Sequence, residues 1–204
     1  MQLVLASSSR YRRALLEQLR MPFDCANPDV DETPLPGESV TELVARLALA
    51  KARALAARFP QALIIGSDQA CELDGRILGK PLDAARARAQ LQACSGRRVT
   101  FHTGLVLYDT QNATWQQEVD RYTVQFRQLD ANDIARYVDI EQPVDCAGSF
   151  KVEGLGIALF SALDGKDYNS LIGLPLISLC AMLRTAGLDP LGPAASLSST
   201  APLG

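Results

Sequence analysis

The 204-residue sequence is poor in histidine and tryptophan, with one residue of each. Because His102 is the single histidine, a histidine-rich zinc site and a Ser-His-Asp triad with a choice of bases are nearly excluded. His102 itself lies in an alternating segment, which predicts a surface or packing role. If the chain is an enzyme, carboxylates, lysines and arginines must carry its chemistry.

The sequence also lacks a disulfide-type cysteine pattern and long apolar runs. The five cysteines, at positions 25, 71, 94, 146 and 180, are odd in number and widely spaced, and no C-x-x-C occurs. Met1 and Gln2 lead straight into a strand-length apolar run, without the basic region of a secretory signal. No apolar stretch approaches the roughly 20 residues that a bilayer crossing needs. We therefore expect a cytoplasmic protein with reduced thiols.

The sequence also lacks an excess of positive charge. The net charge is −3, so the sequence lacks the basic footprint of a duplex-binding protein. Any phosphate site must then be a local cluster of cations. With 48% hydrophobic and 21% charged residues, the composition is that of a soluble globular protein with one sizeable core, or with one core divided by a cleft.

The order of predicted elements indicates an α/β fold with a mixed sheet. Strands are predicted at 2–6, 23–26 and 62–65, and a hairpin at 98–109 and 114–127. Helices are predicted near 10–20, 40–58, 84–94, 131–140 and 174–186. We expect a single domain over residues 1–189 and a low-complexity tail over 190–204, rich in Pro, Ala, Ser and Gly.

A candidate anion site lies where the first strand meets the first helix. The helix start offers free N–H groups, serine hydroxyls and arginines: Ser7, Ser8, Ser9, Arg10, Arg12 and Arg13. Arg12 falls on the predicted apolar face of that helix, with Leu15, Leu16 and Leu19. A cation on such a face needs a partner, which is either a bound phosphate or a core carboxylate.

Two lysines are candidates for the same cleft. Lys51 continues the helical stripe formed by Val40, Val44 and Leu47, so it either snorkels out at the helix end or points into a cleft. Lys80 follows Gly79 and precedes a proline, and such a rigid turn can aim an ammonium group at a phosphate.

Carboxylates complete the candidate site. Asp31 and Glu32 lie in an acidic, proline-punctuated loop, and Asp68 follows the apolar strand 62–65. Ligands of α/β proteins tend to bind at the carboxyl ends of core strands. There Asp68 could bind magnesium together with substrate phosphates, or accept a proton from an attacking water. The alternative is structural, an Asx-turn that closes Gly66 and Ser67.

Taken in order, these motifs resemble the Maf family of nucleotide pyrophosphatases over about residues 2–188. The matching motifs are Leu3-Val4-Leu5-Ala6-Ser7-x-Ser9-x-x-Arg12-Arg13, Val30-Asp31-Glu32, Lys51, Gly66-Ser67-Asp68-Gln69, Gly79-Lys80-Pro81, Thr103-Gly104, Ala147-Gly148-Ser149-Phe150, Glu153-Gly154 and Gly173-Leu174-Pro175.

The resemblance implies a mixed-sheet α/β fold of the Maf/Ham1 kind, with two lobes around a central cleft. It also implies a divalent cation (Mg²⁺ or Mn²⁺), often a homodimer, and Asp68 as proton acceptor. Within the family, Tyr11, Gln69 and Glu153 resemble the branch that acts on 7-methyl-GTP. The sister branch acts on dTTP and UTP.

On this basis we expect a pyrophosphatase that removes a modified nucleotide from the pool. The triphosphate is expected to bind Ser7, Ser9, Arg12, Arg13, Lys51 and Lys80, with Glu32 and Asp68 as metal ligands. Asp68 is expected to activate the water, and Tyr11, Gln69 and Glu153 to select the base. Two alternatives remain: the dTTP/UTP activity of the sister branch, and a non-catalytic nucleotide-binding regulator of cell division.

Overall fold

The computed structural model describes residues 1–192, so the expected tail lies outside the described residues from position 193 onward. The elements, in chain order, are β1 (Gln2–Ala6), α1 (Arg10–Glu17), β2 (Asp24–Ala26), α2 (Val40–Ala54), β3 (Ala62–Leu73), β4 (Arg76–Leu78), α3 (Ala84–Cys94), β5 (Arg98–Asp109), β6 (Thr114–Phe126), α4 (Ala131–Glu141), β7 (Phe160–Gly165), α5 (Tyr168–Ile172) and α6 (Leu176–Thr185). Two short 3-10 helices, Ala147–Ser149 and Leu155–Leu159, lie between α4 and β7.

The strands form one mixed sheet, as the sequence predicts. Its order is β2-β1-β3-β5-β6-β7, with β4 paired to the far end of β3. β1 is parallel to β2 and β3, and the other pairs are antiparallel. β1 pairs only with the first five residues of β3, from Gln2–Ala62 to Ala6–Gly66. The remainder of β3 therefore extends beyond the carboxyl end of β1.

The predicted strand 62–65 ends too early, and the alternative of an Asx-turn at Gly66 and Ser67 is wrong. The segment lies inside β3, which runs unbroken for 12 residues, and Asp68 is paired with Gly104 of β5. The long antiparallel partner β5 satisfies the backbone groups here, so the polar side chains do not end the strand. Asp68 nevertheless lies just past the end of β1, next to the serine-rich loop that follows β1.

Local sequence signals explain where the helices begin. Ser39 caps α2 in a reciprocal arrangement with Glu42, and Ser9 caps α1 by accepting a hydrogen bond from the backbone N–H of Arg12. The predicted ends of both helices are too late, because α1 ends at Glu17 and α2 at Ala54.

Two lobes share the long strands. In the first, α1 and α6 pack on one face of the sheet and α2 on the other, against β1, the start of β3 and the end of β5. In the second, α3, α4 and the 147–159 segment pack on the end of β3, the start of β5 and the end of β6. The predicted two-lobe α/β architecture is confirmed. None of the helices described is long and apolar enough to span a membrane.

Candidate active site

A cleft of about 460 Å³ lies between the two lobes. Its walls come from the loop after β1, the start of α1, the acidic loop, α2, β3, the turn before α3, and residues 145–153. This volume lies within the range of roughly 300–1,000 Å³ that is typical of small-molecule sites. The cleft brings together all but one of the site residues predicted from the sequence.

Lys51 lies at the centre of the cleft's acidic part. Its Nζ lies 2.6 Å from Oδ1 of Asp68 and 2.6 Å from Oε1 of Glu32. The exposed fractions of the Lys51, Asp68 and Glu32 side chains are 7%, 11% and 57%. Lys51 and Asp68 thus form a buried ion pair, and Glu32 reaches it from the open side. Of the two alternatives for Lys51, the second is therefore observed, because the side chain points into the cleft.

Two glycines allow α2 to approach the sheet closely enough for this contact. A Cβ on Gly66 would lie 2.1 Å from the carbonyl oxygen of Ala48, and one on Gly104 would lie 2.2 Å from that of Val44. Asp68 follows Gly66 by two residues and lies on the same face of β3, whereas Lys51 follows Ala48 by about one helical turn. The close packing therefore sets the distance from Lys51 to Asp68.

Cations around Glu32 keep this carboxylate ionised. Partial burial acts to raise the pKa of Glu32, but the hydrogen bond from Lys51 and the charges of Lys51, Lys80 and Arg12 outweigh it, so the pKa lies below the ordinary 4.5. The loop that carries Glu32 is anchored to α2, because Arg46 donates to the carbonyl oxygen of Thr33 at 3.2 Å.

Arg12 reaches the cleft from α1. Its Nε donates to the carbonyl oxygen of Gly173 at 2.8 Å, and the hydroxyl of Ser67 donates to the same oxygen at 3.0 Å. Burial lowers the pKa of the Arg12 guanidinium, while the nearby charges of Asp68 and Glu32 oppose that shift. A guanidinium has five N–H donors. Apart from the bond to Gly173, the described residues leave the other donors available to an anion in the cleft.

Ser7, Ser9 and Lys80 also line the cleft. The hydroxyl oxygen of Ser7 accepts from the backbone N–H of Ser9 at 3.1 Å, which orders the loop after β1. Arg13 is the predicted residue that lies outside the cleft lining. One position along the helix turns its side chain by about 100° from that of Arg12. Its Nε instead pairs with Oε1 of Glu17 at 3.0 Å.

The apolar part of the cleft lining, here called the apolar end, comprises Phe101, Phe150, Val152, Leu171 and Ile172. Three predicted residues also line the cleft, Gln69, Glu153 and Tyr11. Gln69 lies beside the apolar end, because its amide nitrogen donates to the carbonyl oxygens of Ser170 at 2.7 Å and Leu171 at 3.1 Å. The scaffold thus engages the amide N–H groups, and within residues 1–192 the Oε1 atom accepts no hydrogen bond.

Glu153 and Tyr11 are the other two of these three residues. Glu153 is exposed, lines the cleft, and forms no ion pair within the described part of the chain. The Arg10 guanidinium carbon lies 4.8 Å from the Tyr11 ring centroid, and Arg10 donates to the phenol oxygen at 2.7 Å. Burial raises the pKa of Tyr11 although the bond from Arg10 opposes the shift. One ring face of Tyr11 is therefore engaged by Arg10.

Sequence reasoning missed several groups that shape the cleft. Asn27 and Pro28 line it, and the Gly173 carbonyl orients Arg12. A backbone carbonyl leaves no side-chain signal in a sequence, so the Gly173 contact could not be found that way. His102, predicted to be a surface or packing residue, is buried outside the cleft lining, and its Nε2 lies 2.7 Å from Oε2 of Glu72.

The carboxylates of Glu32 and Asp68 fit a metal site that a substrate completes. No cluster of three His, Cys, Asp or Glu residues suited to a metal occurs in the range 1–192. Lys51 contacts one oxygen of each carboxylate, and the other oxygen of each accepts no hydrogen bond from the residues described. Magnesium is commonly bound through one or two carboxylates plus substrate phosphates, which matches this donor set.

A family model and a close relative in sequence identify one family. The family model described as "Maf-like protein" matches residues 2–186. The 7-methyl-GTP pyrophosphatase of Chromohalobacter salexigens is 61% identical over 190 residues, which cover 93% of this chain and 98% of that protein. Among solved structures, the Ham1 protein of Staphylococcus aureus matches with a TM-score of 0.45 and 16% identity, covering 76% of this chain and 90% of that one.

Proposed function

The chain belongs to the Maf family, and we propose that its cleft hydrolyses 7-methyl-GTP to 7-methyl-GMP and pyrophosphate. The observation that carries the proposal is the buried Lys51–Asp68 pair, which shares one cleft with the cationic side chains of Arg12 and Lys80 and with the apolar end. The 61% identity to a 7-methyl-GTP pyrophosphatase supports the same substrate. Such an enzyme removes a modified nucleotide from the pool.

The cationic groups of the cleft suit a triphosphate. Arg12 and Lys80 line the cleft together with the acidic pair, and Ser7 and Ser9 offer hydroxyl groups at the start of α1. Arginine and lysine side chains and helix-start N–H groups form charge-assisted hydrogen bonds to phosphate oxygens. Arg13 is less well placed for this role, because it is exposed and paired with Glu17.

Asp68 is the group that we assign to the attacking water. Its Oδ1 accepts from Lys51, and its Oδ2 accepts no hydrogen bond from the described residues. A carboxylate held in this way can orient a water for attack on the α-phosphorus and take its proton, while pyrophosphate leaves. Lys51 fixes the carboxylate and offers positive charge to the phosphates.

A divalent cation fits beside these groups. Glu32 and Asp68 would hold Mg²⁺ or Mn²⁺ through their oxygens not bound to Lys51, together with phosphate oxygens of the substrate. When bound, the cation supplies charge neutralisation for the leaving pyrophosphate. The lowered pKa of Glu32 supports this role, because an ionised carboxylate is the form that binds a cation.

Hydrogen-bond acceptors at the apolar end suit 7-methylguanine. Gln69 Oε1 and the Glu153 carboxylate lack partners in the described part of the chain, so this wall offers acceptors. Guanine offers N1–H and an N2 amine as donors, and methylation at N7 leaves the ring positively charged. A carboxylate favours that charge, and the free face of Tyr11 can stack on a cationic ring. Thymine and uracil are neutral and offer one N–H donor.

The test is a panel of 7-methyl-GTP, GTP, dTTP and UTP with Mg²⁺ or Mn²⁺, in which released pyrophosphate and the monophosphate are both measured. We expect 7-methyl-GTP to give the highest kcat/KM. Preference for dTTP or UTP would instead assign the sister-branch activity. Nucleotide binding without release of pyrophosphate from any of the four would favour the non-catalytic regulator.

We also propose that the protein acts in the cytoplasm and as a homodimer. The absence of disulfides among its five cysteines supports a reducing compartment. The dimer is supported by the family resemblance. Analytical ultracentrifugation of the purified chain tests the dimer, and fractionation of cells that express it tests the location.

A further inference from the structure

Gln90 links two neighbouring turns that both line the cleft. It lies on α3, outside the cleft lining. Its Nε2 donates to the carbonyl oxygen of Gly79 at 3.1 Å, and its Oε1 accepts from the hydroxyl of Ser149 at 2.5 Å. One amide side chain thus binds the turn that carries Lys80 and the turn formed by residues 147–150.

The 147–150 turn needs an external support. Gly148 and Ser149 have positive φ angles of 72° and 62°, a backbone conformation that residues other than glycine rarely adopt. Ser149 is fully buried, so its hydroxyl requires a partner, and Gln90 provides it. Ala147 and Phe150, on either side of this pair, line the apolar end of the cleft.

The turn that carries Lys80 is equally dependent on contacts from outside. Lys80 is exposed, and Leu82, two residues further along the same turn, has a left-handed φ of 68°. The backbone N–H of Leu82 donates to the carbonyl oxygen of Val144 at 3.1 Å. This bond and the one from Gln90 to Gly79 connect the turn to the segment that leads into 147–150.

We propose that Gln90 is a positioning residue that sets the Lys80 turn against the 147–150 turn. It thereby fixes the position of Lys80, which binds the triphosphate, relative to the apolar end, which binds the base. This inference rests on the proposed function, because it takes Lys80 to bind the triphosphate. A side chain that served only the packing of α3 would not be coupled to Lys80.

The test is a double-mutant cycle of Gln90→Met and Lys80→Ala, read as the Kd of inorganic tripolyphosphate by calorimetry. Gln92→Met is the matched control, because Gln92 is an exposed glutamine on the same helix. We expect Gln90→Met to weaken binding about five- to tenfold, in line with the loss of one or two hydrogen bonds, and Gln92→Met to leave it unchanged. In the Lys80→Ala background, Gln90→Met should have no further effect.

Equal weakening by Gln90→Met in both backgrounds, or no weakening at all, would overturn the inference. Gln90→Glu keeps the acceptor for Ser149 and loses the donor for Gly79, so it should reproduce most of the loss in a folded protein. The binding readout needs no turnover. Absence of 7-methyl-GTP hydrolysis by the unaltered protein would therefore count against the proposed function. Absence of coupling between the Gln90 and Lys80 substitutions would instead count against the role of Gln90.

Discussion

Nζ of Lys51 lies 2.6 Å from Oδ1 of Asp68, and both side chains are buried at the junction of the two lobes. The same nitrogen lies 2.6 Å from Oε1 of Glu32, so one ammonium group holds two carboxylates together. Without it, two negative charges would face each other in a partly desolvated cleft. Lys51 therefore stabilises the acidic part of the cleft, where the proposed cation and triphosphate would bind.

Arg12 and Arg13 give a matched pair of variants. Arg12→Ala should lower kcat/KM for 7-methyl-GTP about 10- to 100-fold, because a hydrogen bond to a charged group contributes about 1.5–3 kcal/mol. Arg13→Ala should change it less than about twofold, since an exposed ion pair contributes little. Steady-state kinetics with thermal unfolding of each variant measures both. Similar losses from the two variants would show that Arg13 also reaches the triphosphate.

Glu153→Gln should separate the substrates. The amide keeps the shape of the side chain but removes the negative charge that favours the cationic 7-methylguanine ring. We expect kcat/KM to fall about 10- to 100-fold on 7-methyl-GTP and much less on UTP. Glu17→Gln, outside the cleft lining, serves as the control. Equal losses on both nucleotides would argue against a role of Glu153 in selecting the base.

Gly66→Ala should lower stability and activity together. The new Cβ would lie 2.1 Å from the backbone oxygen of Ala48, so α2 must move away from β3. Overpacking of this kind costs about 1–3 kcal/mol of unfolding free energy. The same shift moves Lys51 away from Asp68. Gly79→Ala is the control for stability, because its Cβ would meet nothing within 4 Å. Urea unfolding that gave equal midpoints for the two variants would refute the close-packing argument.

Glu38 gives a prediction about pH. The hydrogen bond from Arg46 lowers the pKa of Glu38 from 4.5 to about 2. A lowered pKa in the folded state means that the stabilisation is complete above about 4.5 and is lost as the pH falls towards 2. Glu38→Gln should thus be less stable than the unaltered protein at pH 7, by a margin that narrows below pH 4.5. Urea unfolding at several pH values measures this margin, and a margin independent of pH would contradict the assignment.

The sequence pattern predicted most of the strands and helices, but it missed β4, β7 and α5. The hairpin β5–β6 lies where it was predicted, and α3 begins and ends where the pattern indicates. The prediction failed at Gly66–Asp68, where polar residues resemble a turn. Their polar groups are satisfied by partners distant in sequence: Lys51 for Asp68, and Gly173 for Ser67. Such contacts are not visible in a local window.

The composition of the site was predicted better than its geometry. The stripe on α2 left two positions open for Lys51, out at the helix end or into a cleft, and the family resemblance placed it in one site with Glu32 and Asp68. Nothing in the sequence separated Arg12 from Arg13 except the helical face, which the leucines at 15, 16 and 19 define. Gln90 carried no signal, because a polar residue on an amphipathic helix is ordinarily solvated.

The most direct test of the proposed function is the rate at which the Asp68→Asn variant hydrolyses 7-methyl-GTP, measured as release of pyrophosphate. Asparagine keeps the shape of the side chain but cannot take a proton from the attacking water. We expect kcat to fall by about 10²–10⁴, the range typical of a lost general base, in a variant that remains folded. Turnover close to that of the unaltered protein would contradict the proposed function.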